Sequence, residues 1–369
     1  MSTTLVPLLR DAGLTGRGGA AFPTAVKLEA ALEHRARVII NACDGEVGAA
    51  KDGWVVEHHL DELVRGATLF SARRPSTVLY AAHRASETAL RLRAAGLHVL
   101  EVPARYVSSE ESSLISLAQG GLARPMTKRT PFVMGGRDSA GRRVRPTVVV
   151  NAETAWRVAQ IAEFGAAWFR SFGTSAEPGP RLVSVNGPSA RGVVLETEAG
   201  TSVSALLGVV GGLPVDAEAL LVGGLGGSFV PAEAVAALRW SSADLGPYGA
   251  ATGPGIIEVV PPHECPVALV ARFLAYAGGE SAGQCGPCMF GVPALAADWQ
   301  AFAERPSARL LDQVARRAGL LPDRGACRFP DGVGRFVASA LRVYRDHLEG
   351  HVVGYCLEPR GRTADVLPH

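Results

Sequence analysis

Hydrophobic and polar positions in the first 150 residues alternate between two rhythms. Short apolar runs at 37–41, 77–82, 98–102 and 146–151 read as buried strands, and 5–12, 25–33, 55–71 and 87–95 carry the longer helical period. Strands separated by helices in this way predict a parallel sheet covered by helices. Val38-Ile39-Ile40-Asn41 and Val148-Val149-Val150-Asn151 are similar strands, each ending in asparagine. Open α/β sheets bind ligands at the carboxyl ends of their strands, so the two amides are expected to converge on one site.

The rhythm changes near 166–180. Apolar runs at 182–185, 192–196, 203–209 and 219–222 predict two strands, a short helix and another strand, the size of a β-grasp module. The glycine run Gly223–Gly227 reads as a flexible connector, because it lacks the Lys-Ser/Thr ending of a phosphate loop. After a strand at 256–260, helical patterns at 267–277, 292–302, 307–318 and 332–348 predict a four-helix bundle. The expected domains are 1–170, 171–240 and 241–369, the last comprising a connector and the bundle.

Composition narrows the function classes. With 47% hydrophobic and 20% charged residues in 369, the chain can bury a large core. A net charge of +2 gives no basis for a nucleic-acid or membrane-surface partner. The first ten residues lack a secretory pattern, and no run approaches the ~18 apolar residues of a membrane span. Six irregularly spaced cysteines then suit a reducing compartment, so the expected location is the cytoplasm, with membrane association only through partner subunits and no direct insertion.

Candidate chemistry centres on Glu280-Ser281-Ala282-Gly283-Gln284-Cys285-Gly286-Pro287-Cys288-Met289 and the later Cys327. A tight Gly-Pro turn aims two thiols at one soft metal or cluster; iron-sulfur, zinc, and a redox or structural dithiol are the alternatives that spacing leaves open. Cys43, Cys265 and Cys356 read as ordinary residues, with Cys265 nearest the pair in sequence. Gly16-Arg17-Gly18-Gly19-Ala20-Ala21-Phe22-Pro23-Thr24 precedes a helix carrying Lys27. Small residues at a helix start let backbone N–H groups approach an anion, though a tight interhelical turn has the same composition. The acids of Ala42-Cys43-Asp44-Gly45-Glu46-Val47-Gly48 and Tyr106-Val107-Ser108-Ser109-Glu110-Glu111-Ser112 follow strands, where carboxylates cap helices or accept bonds from ribose and ribityl hydroxyls.

Taken in order, these motifs, with Pro146-Thr147 through Asn151-Ala152-Glu153-Thr154, resemble the NADH-binding flavoprotein subunit of respiratory complex I and its relatives in soluble hydrogenases and formate dehydrogenases. The resemblance implies a Rossmann-like FMN domain, a β-grasp (SLBB) domain and a C-terminal bundle with a 4Fe-4S cluster. It implies that Gly16, Arg17, Gly18, Gly19, Phe22 and Lys27 belong to the FMN phosphate site and that Asn41, Asp44, Glu111 and Asn151 surround the flavin. Glu46, Glu110 and Phe132 would lie toward NAD(H), with Glu46 and Glu110 as catalytic candidates, and Cys285, Cys288 and Cys327 would hold the cluster.

The chain departs from the family pattern at three points. Ala282 stands where the family has its first cluster cysteine, so the cluster is either 4Fe-4S with a non-standard fourth ligand, for which Cys265 is an internal candidate, or 3Fe-4S. Ser109 and Val150 replace a flavin-site glycine and asparagine. Lys27-Leu28-Glu29-Ala30 replaces a Lys-Trp-x-Phe sequence, removing stacking worth about 1 kcal/mol. The function implied is electron transfer between NADH, FMN and the cluster to a ferredoxin-like or thioredoxin-like 2Fe-2S protein or a larger oxidoreductase complex. The alternative is a non-catalytic scaffold, or a ferredoxin-linked subunit, that has lost NADH binding.

Overall fold

The computed structural model describes residues 2–71, 77–128, 130–138, 141–262, 264–356 and 367. The first part of the chain runs α1 (Ser2–Ala12), α2 (Thr24–Glu33), β1 (Arg37–Asn41), α3 (Lys51–His58), α4 (Leu60–Leu69), β2 (Leu79–His83), α5 (Glu87–Ala94), β3 (Val99–Val102), α6 (Glu111–Leu117), β4 (Gly136–Arg137), β5 (Arg143–Val144), β6 (Thr147–Asn151) and α7 (Ala152–Arg170). β3, β2, β1 and β6 form a parallel sheet in that order, and β4 and β5 pair as a small ribbon. Both faces of β1 and β6 are buried, as their continuous Val/Ile runs require. β2 lies on one side of β1 and β6 on the other, so the strand order reverses beside β1 and opens a crevice at the carboxyl ends of β1 and β6.

Where the apolar pattern at 55–71 reads as one helix, the chain makes two. His59 leaves helical geometry at φ −136° and ψ 35°, and its ring stacks on buried Trp156 of α7 at 4.1 Å. α4 and α7 approach so closely that a Cβ at Gly66 would sit 1.7 Å from the Ala155 carbonyl oxygen, which only glycine avoids.

The second part comprises β7 (Arg181–Asn186), β8 (Val193–Thr197), α8 (Val203–Gly208), β9 (Ala219–Val222), β10 (Ser228–Pro231), α9 (Ser242–Leu245) and β11 (Ile256–Val259). Its sheet has the order β10-β9-β11-β7-β8. β11, which the sequence pattern groups with the C-terminal segment, is the central strand, parallel to β7 and antiparallel to β9. β10 was not legible in the sequence, because its two apolar core residues, Phe229 and Val230, are separated from the glycine run only by Ser228.

The third part is helical: α10 (Pro266–Glu280), α11 (Val292–Glu304), α12 (Ala308–Gly319), α13 (Phe329–Val343) and α14 (Arg345–Val352). The expected last helix is split at Tyr344, whose φ of −99° and ψ of 25° turn the chain while its ring packs on Phe229 at 5.1 Å. Trp299, Phe273, Phe302 and Phe336 fill the core between these helices, and Ser339 accepts a bond from the Phe229 N–H at 2.9 Å, tying α13 to β10. No helix among the described residues is long and apolar enough to cross a membrane.

Candidate functional site

The glycine loop is closed at its base by a bond from the Gly16 N–H to the Phe22 carbonyl (2.9 Å) and by the Thr15–Pro23 bridge, leaving Gly18 to Phe22 as an exposed apex. A Cβ at Gly18 would sit 3.3 Å from the Asn151 Cβ, so the loop lies directly over the end of β6. The Arg17 guanidinium turns inward, donating to the carbonyls of Pro178 (3.1 Å) and Pro180 (3.2 Å), while its backbone N–H donates to Thr154 Oγ1 (2.8 Å). Arg17 therefore anchors the loop to the chain beyond α7. Lys27 is the cation beside the loop. Its Nζ donates to the Val149 carbonyl (2.6 Å) and lies 3.9 Å from Glu111, while burial lowers its pKa against the raising pull of Glu111. Lys128 approaches Glu111 at 3.4 Å and sits 5.8 Å above the ring of buried Phe132, completing a partly exposed group at the start of α6.

Asn41 and Asn151 are register partners at the carboxyl ends of adjacent strands, the convergence expected from their sequence positions. Their amides serve different neighbours. Asn41 donates to the Ser109 carbonyl (2.9 Å) and accepts from the Cys43 N–H (3.2 Å). Asn151 donates to Asp52 (2.7 Å), accepts from Lys51 (3.0 Å) and caps α7 through the Glu153 N–H (3.1 Å). The Lys51 ammonium, fully enclosed, reaches Asp52 (2.8 Å), Asn151 (3.0 Å) and Glu153 (3.1 Å), using all three of its hydrogens. Asp44 accepts the N–H groups of Asp52 (2.9 Å) and Gly53 (2.7 Å) at the start of α3. Burial raises both Asp44 and Asp52, with Lys51 opposing it in each case.

The two remaining acids occupy distinct settings. Glu110 is the N-cap of α6, accepting from the N–H groups of Ser112 (2.8 Å) and Ser113 (3.2 Å); burial raises its pKa. Glu46 is gripped from another part of the chain. Its carboxylate accepts the N–H groups of Val47 (2.9 Å), Leu225 (2.8 Å) and Gly226 (3.3 Å) and the Tyr106 hydroxyl (2.5 Å). The glycine run expected to be a flexible connector is in fact a carboxylate cradle: Gly223 and Gly224 adopt positive φ, and a Cβ at Gly224 would meet Glu46 Oε1 at 2.5 Å. Burial pushes Glu46 up to about 7, although its four donors pull the other way.

Tyr106 also links the parts of the chain. Its N–H donates to Glu280 (2.7 Å), the residue that closes α10, and Arg105 pairs with the same carboxylate at 3.0 Å. The Tyr106 ring lies 5.2 Å from that of Phe329, two residues beyond Cys327. Cys288 is buried and Cys285 and Cys327 are partly buried, all within the helical core. Burial raises Cys288, with Cys285 adding to it, and raises Cys327 to about 12, with Glu110, Cys288 and Cys285 adding to it, so the three thiols face one another electrostatically. Ser281 Oγ, donating to the Cys288 carbonyl at 2.7 Å, fixes the loop that carries Ala282.

Cys265 does not join them: its Sγ lies 3.4 Å from His351 Nε2, where α14 packs against the start of α10. On α2, Leu28 is buried in the core and Ala30 is partly exposed, so this face offers no aromatic; Phe22, 49% exposed at the loop apex, is the exposed ring nearest in sequence. From sequence, no site role was assigned to Lys51, Tyr106, Arg105 or the Gly224–Gly226 turn. The clue was available for Lys51, whose lysine-aspartate pair precedes, across Gly53, the apolar Trp54-Val55-Val56, whereas the cradle depends on a contact 180 residues away in sequence.

Residues 9–160 match the family model described as the Nuo51 FMN-binding domain, and residues 268–351 match the NADH-ubiquinone oxidoreductase-F iron-sulfur binding region. An F-type NADH-quinone oxidoreductase subunit of Rhizobium meliloti is 26% identical, covering 94% of this chain and 88% of the relative. The NADP-reducing hydrogenase subunit HndC of Solidesulfovibrio fructosivorans is 25% identical, covering 94% of this chain and 76% of the relative. A crystal structure of an NAD+-reducing [NiFe]-hydrogenase in the H2-reduced state superposes with a TM-score of 0.84 at 27% identity, covering 95% of this chain but only 63% of that one.

Proposed function

Since the chain belongs to the family of F-type NADH-quinone oxidoreductase subunits, we propose that it is an electron-transfer flavoprotein subunit that passes reducing equivalents between NADH, FMN and an iron-sulfur cluster to a partner protein. The observation that carries this reading is the crevice beside β1, where an exposed glycine apex, Lys27 and the paired Asn41 and Asn151 meet at the carboxyl ends of two parallel strands.

This donor set fits FMN. Small residues with Lys27 suit a phosphate ester, and the asparagines and Glu111 offer partners for ribityl and ring atoms. FMN, when bound, supplies exchange between hydride and single-electron chemistry. The protein's part is to bind and orient. Lys27 and the backbone of the exposed apex at Gly18 and Gly19 would hold the phosphate, with the Gly16 N–H closing the loop base, Arg17 fixing the loop from behind, and Asp44 and Asn151 keeping the surrounding turns in place through Lys51 and α3. Phe132 and Phe22 border the nucleotide side. Glu46 holds a proton near neutral pH at a carboxylate shared with Tyr106. Glu110 acts by orienting α6, which presents Glu111. Cys285, Cys288 and Cys327 hold the cluster, and their thiol set suits iron-sulfur ligation with one position outside the three.

The three parts of the fold correspond in this reading to a Rossmann-like FMN domain, a β-grasp (SLBB) domain and a helical iron-sulfur domain, at 1–170, 171–240 and onward, with β11 completing the β-grasp sheet. The partner is a ferredoxin-like or thioredoxin-like 2Fe-2S protein or a larger oxidoreductase complex, in the cytoplasm or at a membrane through other subunits. Anaerobic purification followed by flavin, iron and sulfide analysis tests the reading: bound flavin with acid-labile sulfide is expected, and a colourless protein that takes up neither on reconstitution refutes it. Buried Leu28 and partly exposed Ala30, in place of an aromatic pair, favour a second reading, a ferredoxin-linked subunit without NADH use. Bleaching of the bound flavin by NADH decides between them.

A further inference from the structure

Four metal-binding side chains meet at a point that the flavin and cluster reading does not use. Cys265 stands at the N-cap of α10, directly before Pro266. His347 and His351, one helical turn apart on α14, present Nε2 to it at 3.6 and 3.4 Å. Beyond α14 the chain reverses through Gly354 (φ +84°) and a bond from the Tyr355 N–H to the Gly350 carbonyl (2.9 Å), bringing Cys356 Sγ to 3.8 Å from Cys265 Sγ and 3.9 Å from His347 Nε2. All four ligand atoms lie within 4.8 Å of one another.

These separations are the edges of a tetrahedron. With metal–sulfur bonds of about 2.3 Å and metal–nitrogen bonds of about 2.0–2.1 Å, tetrahedral geometry places two sulfurs roughly 3.8 Å apart and sulfur and nitrogen roughly 3.6 Å apart. Four of the six edges, at 3.4 to 3.9 Å, need adjustments of only a few tenths of an ångström, and the remaining two, His347–His351 and His351–Cys356, lie within 4.8 Å and close as a bound ion draws the ligands in. A disulfide would need the sulfurs near ~2.05 Å, and neither thiol is in one. Four ligands converging on one point suit a single ion, whereas an iron-sulfur cluster spreads its ligands around several irons. Glu218 Oε1 lies 3.9 Å from His347 Nδ1, on the ring edge away from the thiols, where metal-bound histidines commonly meet a carboxylate.

We propose that Cys265, His347, His351 and Cys356 form a closed, structural zinc site that pins α14 and the chain beyond it to the start of α10. Two sulfurs and two nitrogens fill a tetrahedral shell and leave no open position for substrate, so the site stabilises and does not catalyse. Its ligands are separate from Cys285, Cys288 and Cys327, so its metal content is independent of the cluster's. The ligands gather from positions 265 and 347–356, which is why no cysteine spacing signals the site; the His-x-x-x-His pair on a C-terminal helix is its one local signature.

Metal analysis of the full-length protein tests this. Wild type is expected to carry one zinc per chain whether or not iron is reconstituted, and to lose thermal stability when a chelator removes it and regain it with zinc alone. Cys356→Ser and Cys265→Ser should lose that zinc while retaining iron, and Co(II) in the stripped wild type should give the visible bands of a tetrahedral thiolate site that are missing in both variants. Should the variants fail to fold, zinc titration of the stripped wild type with a thermal-shift readout decides alone. Absence of zinc binding in wild type, or zinc lost from Cys285→Ser and kept in Cys356→Ser, overturns the proposal.

Discussion

Replacing Glu46 by glutamine gives the most direct test of how the sheets are joined. The carboxyl's pKa of about 7 in the folded chain lies above its ordinary value of 4.5, so the native state holds the proton more tightly than the unfolded state does. Its contribution to stability is therefore fully present below about 4.5 and is lost as pH rises through about 7. At 1.36 kcal/mol per pKa unit the full swing is about 3 kcal/mol, of which about 2 kcal/mol falls between pH ~5.5 and ~8. Glutamine cannot ionise. Its carbonyl keeps the Leu225 and Val47 bonds, while its amide turns toward Tyr106 and loses Gly226. E46Q should therefore be less stable than wild type at acid pH, and the gap should narrow, or reverse, by about 2 kcal/mol as pH rises. Urea denaturation of both proteins across this range reads the difference directly. Subtracting one from the other removes the titrations of Asp44, Asp52 and Glu110, which both share. A gap that stays constant with pH would show that Glu46 does not bear the buried proton and that the cradle argument is wrong.

Lys27→Ala should weaken flavin binding roughly 10- to 100-fold, the loss of one charged phosphate contact, with the circular dichroism spectrum unchanged; fluorescence titration with FMN measures it. Lys51→Ala leaves Asp52 and Glu153 enclosed without their cation and should cost about 3–5 kcal/mol, seen as a lowered denaturation midpoint even in protein without flavin. Ala282→Cys, restoring a thiol three residues before Cys285, should raise iron and sulfide per chain after reconstitution; unchanged content would mean that the fourth position is already filled.

Features set by short-range pattern were readable from sequence. The Val/Ile runs ending in Asn41 and Asn151 announced buried parallel strands, and the structure pairs them side by side. The glycine loop and the Cys-x-x-Cys turn were equally plain. What the sequence hid depends on distant contacts. Arg17 reads as a phosphate ligand because it stands among glycines, yet the carbonyls of Pro178 and Pro180 lie within its reach and take it inward. Gly223–Gly227 reads as a connector because glycine signals freedom, but here positive φ and missing Cβ atoms are what admit the Glu46 carboxylate. β11 reads as part of the C-terminal segment because the helices follow it, although its hydrogen-bond partners are β7 and β9.

The same long-range contacts join the Glu46 cradle to the cysteine loop. Glu46, in the Gly224–Gly226 cradle, shares its carboxylate with Tyr106, whose backbone is held by Glu280 at the mouth of the cysteine loop and whose ring packs on Phe329 beside Cys327. Tyr106 is partly buried, and its phenol is raised by desolvation and further by Glu46, so its hydroxyl stays a proton donor over the range in which Glu46 titrates. A change in charge at Cys327 is felt at Tyr106 and, through Glu110, at the start of α6. Tyr106 is thus fixed from both sides, by Glu46 through its hydroxyl and by Glu280 through its backbone N–H.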